Sequence, residues 1–129
     1  MKKTATKSPG ITLRKVHKIA DLATYSEDSI VSRTLVKSKS GSLTLFAFAA
    51  GQHLSEHTCP FDACAHIVDG TAEIVIDGVP FKIGSGQMIV MPANVPHAVN
   101  ARQGFIMLLT MFKVDDDRRQ GDCLQGSGE

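Results

Sequence analysis

The chain is short of the features that announce most specialised proteins. No apolar run approaches the ~20 residues a membrane-spanning helix needs, and the first residues carry no signal-type hydrophobic segment, so a cytoplasmic protein with no membrane contact is expected. Its three cysteines, Cys59, Cys64 and Cys123, are an odd number without a CxxC spacing. That excludes a disulfide framework and a redox dithiol, and reduced thiols fit the same compartment. Charge of one sign is also missing: the net charge is +1. Such a chain has no global field to attract nucleic acid.

What charge there is collects at the ends. Residues 1–18 hold six bases and no acid, and residues 115–129 hold five acids against two bases. The basic end lacks aromatic residues to interleave with bases, so both ends read as solvated and disordered tails rather than as a nucleic-acid grip. The expected organisation is a basic arm at 1–18, one domain at 19–114 and a polar tail at 115–129. At 129 residues with 43% hydrophobic content, the chain can close one core.

Within that domain the pattern is all-β. Only Ile11 to Tyr25 has helical spacing, and it is short and Lys-rich. From Ser29 onward period-two segments take over: 29–36, 43–49, 63–69, 72–76, 79–83, 87–91, 98–101 and 105–114. They are bounded by Gly, Pro or Asn at spacings of roughly 8–12 residues, as sandwiches and small barrels require. Asp77-Gly78 between two of them is a strong hairpin signal. The last strand is apolar on both faces, with Phe105, Met107, Leu109 and Met111 on one and Ile106, Leu108 and Phe112 on the other. Such a strand invites association, so a homodimer is expected, with part of this strand or of Phe46 and Phe48 at the contact. Met88, Met91, Met107 and Met111 read as core fillers.

Chemistry concentrates in two segments, Gly51-Gln-His53-Leu-Ser-Glu-His57-Thr-Cys59-Pro and Gly86-Gln-Met-Ile-Val-Met-Pro92-Ala-Asn-Val-Pro-His97, which hold three of the five histidines. Each ends a strand pattern on a Pro/His cluster, so two strands distant in sequence could aim imidazoles at one point. If the strand is regular through residue 57, then Cys59, Ala63, Ala65 and Ile67 share its inner side, while Asp62 and His66 point outward. His53 shares that parity if the strand already runs straight there. His17 falls in the basic segment and is assigned no role.

In spacing these segments resemble the two motifs of the cupin superfamily, over residues 40–113, and most closely its compact single-domain, RmlC-like bacterial type. Gly51, His57, Cys59 and Gly70 occupy the frame of the first motif; Gly86, Pro92, Asn94 and His97 occupy the second. The resemblance implies a double-stranded β-helix, or jelly-roll barrel. It also implies a divalent metal held by two His and a Glu of the first motif and a His of the second. Carried over, His57 and His97 match two ligands, Cys59 stands where a second His is expected, and Ala63 stands where the Glu would be. Asn94 replaces a Gly and Ala101 a closing Asn. A set of His57, His97, Cys59 and His53 offers N and S donors, which suit Zn, Fe, Ni or Cu better than Mg or Ca. Three functions are open: a metal-dependent enzyme of oxidoreductase type on a small organic molecule, a small-molecule-binding module whose histidines only donate hydrogen bonds, and a structural role resting on the dimer surface. With no helix-turn-helix pattern in the sequence, a transcription-factor role is not expected.

Overall fold

The computed structural model describes residues 10–114; residues 1–9 of the expected arm, the expected tail at 115–129 and Cys123 lie outside the described residues. Among the described residues nine strands form two antiparallel sheets. They are β1 (Ile30–Ser38), β2 (Gly41–Phe48), β3 (His53–His57), β4 (Phe61–Asp69), β5 (Thr71–Ile76), β6 (Val79–Gly84), β7 (Met88–Met91), β8 (His97–Asn100) and β9 (Phe105–Lys113). One sheet has the order β1-β2-β9-β4-β7 and the other β3-β8-β5-β6. This is the expected all-β jelly roll, with β3 as a strand that alternation alone did not separate. The β5–β6 hairpin turns at Asp77 and Gly78, whose φ values of 51° and 81° are those of a primed two-residue turn.

The core lies between the sheets and is built by alternation. Phe48, Phe105, Met107, Ala65, Ile67, Ile74 and Val99 meet there, all buried. Ala63 and Met91 lie in the same cluster. Gly70 closes the corner between β4 and β5 at a φ of 87°, where an added Cβ would stand 2.5 Å from the Gly104 carbonyl oxygen. Only glycine satisfies both constraints.

The doubly apolar β9 finds its second cover in the chain itself. Its outward residues Ile106 and Leu108 pack with Leu35, Leu43 and Leu45 under Ile11, Ile19, Leu22 and Ala23 of the N-terminal segment. That segment is tied down by the Ile11 N–H donating to the Leu35 carbonyl (3.2 Å) and by Arg33 donating to the Leu22 carbonyl (3.3 Å). Its helical spacing yields one 3-10 turn, Ile19–Leu22. Arg14 sits at a φ of 61°, which no α-helix accommodates, and Lys18 offers no side-chain cap.

Two expectations about β2 and β7 are corrected by the register. Phe46 and Phe48 face inward opposite Met107 and Phe105; Phe48 is fully buried in the core and Phe46 is partly buried against it. Met88 is not a filler but 59% exposed, because it pairs with His66 on the outer face of the edge strand β7.

Candidate functional site

His57 and His97 are brought together by strand pairing. They stand opposite each other in the β3–β8 ladder, with ring centroids 4.4 Å apart and planes at 66°. Each ring is oriented by its own backbone two residues back. Nδ1 of His57 bonds the Ser55 carbonyl at 2.8 Å and Nδ1 of His97 bonds the Val95 carbonyl at 3.2 Å. A carbonyl oxygen only accepts, so each Nδ1 carries a proton, and Nε2 is the nitrogen that holds the lone pair when a ring is neutral. His57 is exposed while His97 is buried.

The turn that delivers His97 is itself anchored. The Ala93 N–H donates to Asp62 Oδ1 at 2.8 Å, and the Asn94 N–H donates to the Cys59 carbonyl at 2.8 Å. Asn94 adopts a φ of 66°, a conformation asparagine tolerates in place of glycine. Asp62 is thus buried as an anchor of the second segment.

Of the other two candidates, the register sets His53 apart from the pair. The β3–β8 register runs His53 opposite Asn100 and Leu54 opposite Val99, then skips to His57 opposite His97, which places one extra residue on β3. Cross-strand partners share a face, and residues 97 and 100 of β8 lie on opposite faces. His53 therefore lies on the outer face with Asn100: the bulge removes the parity it would have shared with His57. Cys59 lies past the end of β3, and its thiol donates to the Phe61 carbonyl at 3.5 Å. Among the described residues no group of three or more His, Cys, Asp or Glu side chains is arranged to hold a metal ion. His66 points outward on β4, as alternation requires, and His17 bonds the Thr12 carbonyl. Ala63, at the position of the family's Glu, is buried in the core.

A family model described as a cupin domain matches residues 44–112, and this span holds both motif segments and the histidine pair. The chain is a cupin. Solved structures agree. A conserved protein of unknown function from Streptococcus pyogenes is 38% identical, with a TM-score of 0.77 over 82% of this chain and 93% of that one. A cupin 2 conserved barrel domain protein from Leptotrichia buccalis is also 38% identical, with a TM-score of 0.71 over 73% of this chain and 46% of that one. A cupin superfamily protein from Desulfitobacterium hafniense is 25% identical, with a TM-score of 0.74 over 82% and 96%. No curated protein matches the chain.

The residues present in this cupin fit a two-imidazole site. Two imidazoles, each with Nδ1 donating to a backbone carbonyl, present Nε2 as the nitrogen through which histidine binds a borderline divalent ion. Among the described residues this pair is not joined by a third His, Cys, Asp or Glu side chain placed to share an ion.

Burial pushes the His97 imidazole below its ordinary 6.5, with a further push from nearby His57, against the bond to Val95. Between that lowered value and 6.5 the unfolded chain binds a proton that the folded ring refuses, so stability falls as pH drops through this window. Melting temperature should therefore fall more between about pH 7.5 and about pH 5 for the wild type than for His97→Gln. Equal falls would show that His97 is not desolvated.

Proposed function

We propose that this cupin binds a divalent transition metal (Zn, Fe, Ni or Cu) through Nε2 of His57 and His97, together with a small organic ligand at the same end of the barrel. The observation that carries this is the register-matched imidazole pair with both Nδ1 atoms held by backbone carbonyls. Desolvation keeps the His97 ring in its neutral, lone-pair form near neutrality. The exposed His57 forms the ligand's side of the site. With Ala63 in the core, no carboxylate enters from β4, which leaves positions on the ion for water or a donor atom of the ligand. A bound ion would supply a Lewis acid to polarise a ligand oxygen. A site without an inner acid suits metal-assisted binding rather than acid–base catalysis.

The test is metal content per chain after reconstitution with Zn²⁺, Fe²⁺, Ni²⁺ and Cu²⁺. About one ion per chain for at least one metal, lost in His57→Ala and His97→Ala, supports the reading. Retention far below one for all four metals overturns it.

The reading includes a cytoplasmic setting, supported by the free thiols of Cys59 and Cys64. Among the described residues no helix is long and apolar enough to cross a membrane. It also includes a homodimer through the outer face of the five-stranded sheet. The row Val36, Leu43, Thr110, Cys64 and Val90 crosses all five strands without a formal charge. Val90 remains 48% exposed and Phe112 47% exposed. A two-fold contact sets a patch against itself, which an uncharged row permits. Sedimentation velocity should show a dimer for the wild type and a monomer for Val90→Asp; a wild-type monomer at about 100 μM, far above the Kd of a stable dimer, contradicts this contact.

A further inference from the structure

The outer face of the four-stranded sheet carries a feature that the histidine pair does not use. The ladders align His53 with Asn100, Asn100 with Glu73, and Glu73 with Lys82, a polar row across all four strands. Over the β8, β5 and β6 part of that row lies a cavity of about 410 Å³, completed by Thr71, Arg102 and Gln103. Ala72 also lines it, while the inner sides of these strands hold Ile74, Ile83 and Val99 in the core, so the polar side chains of the row face away from His57 and His97.

The groups lining it are ordered by function. Lys82 and Arg102 bring two positive charges, and Glu73 one negative charge. Asn100 Nδ2 donates to Glu73 Oε1 at 3.0 Å, which fixes the carboxylate and leaves its second oxygen as an acceptor. Thr71 and Gln103 add a hydroxyl and an amide. The balance of one positive charge favours a ligand of net charge −1 over a zwitterion. The two cations recognise an anionic end by charge-assisted hydrogen bonds, and the carboxylate and amides read hydroxyl groups. A volume of about 410 Å³ is within the range of small-molecule sites.

We propose that this face is a second binding site for a small polyhydroxylated monocarboxylate, separate from the site at the histidine pair. It stands or falls independently of metal binding.

The test uses amide chemical-shift mapping on the full chain, with sodium D-gluconate as probe, hexanoate as an anion without hydroxyls and serine as a zwitterion. Gluconate should bind with a Kd of about 1 mM or below and move the amides of Glu73, Lys82, Asn100 and Arg102. Hexanoate and serine should bind at least about tenfold more weakly. The exposed double substitution Lys82→Ala and Arg102→Ala should weaken gluconate about tenfold or more. Glu73→Gln should erase the preference for gluconate over hexanoate. The proposal is overturned if gluconate leaves these four amides unmoved, if hexanoate or serine binds as well as gluconate, or if the double variant binds as the wild type does.

Discussion

Phe48→Ala is expected to cost about 3–5 kcal/mol of folding stability, as large as single truncations in a barrel core become. Phe48 and Phe105 are both 0% exposed, and their rings stack at a centroid distance of 4.5 Å between paired positions of β2 and β9. Truncation removes the transfer energy of a buried ring and opens a cavity that the two sheets cannot collapse to fill. The lost stack adds to that cost, by about 0.5–1.5 kcal/mol beyond area alone. Against a typical total of about 5–15 kcal/mol, the loss is about a fifth or more of what holds the domain together. Phe112→Ala is the internal comparison: the same residue type on the neighbouring strand β9, but 47% exposed, so a far smaller cost is expected. Urea midpoints converted to free energies check both. A Phe48→Ala cost within about 1 kcal/mol of the Phe112→Ala cost would contradict the packing described. If Phe48→Ala does not fold, Phe48→Leu keeps the comparison measurable.

His57→Ala and His97→Ala are each expected to lower affinity for the best-retained metal by at least about 100-fold, since even partners behind a ligand are worth 10–100-fold. The two losses should not add. With two imidazoles facing each other across one ladder, removal of either leaves a single-nitrogen site, and the second substitution has little left to remove. His53→Ala and His66→Ala should leave affinity within about twofold, because the register sets both on outer faces. Competition against a chromophoric chelator measures all of these. Equal losses for His53→Ala and His57→Ala would contradict the bulge between Leu54 and His57 as the feature that sorts the two rings.

Much of this arrangement was legible before any coordinates. Gly70, Gly86 and Asp77-Gly78 mark corners that the backbone takes at positive φ, and strict alternation in 105–111 assigns the inner face of β9. The spacing of the two motif segments anticipates that His57 and His97 meet. What alternation could not show is a single-residue insertion in a ladder. The bulge in β3 has no compositional mark, yet it moves His53 to the outer face.

The cover on the outer face was hidden for another reason. Ile11, Ile19 and Leu22 have the spacing of a helix, but they serve as contacts from an extended segment around one 3-10 turn. Only tertiary packing distinguishes these two uses. The pair Glu73 and Lys82, by contrast, was available from the sequence. A two-residue turn at Asp77-Gly78 sets 76 against 79 and so 73 against 82, which places opposite charges side by side on the outward face of the hairpin.

The most direct test of the central claim observes the imidazole nitrogens themselves. Long-range ¹H–¹⁵N spectra of the histidine rings, recorded during a Zn²⁺ titration at neutral pH, report which nitrogen of which ring meets the ion. The expected result is a shift of Nε2 in His57 and His97 together, saturating at about one Zn²⁺ per chain, with Nδ1 still protonated in both. No movement of either ring, or coordination through His53 or His66 instead, would contradict it.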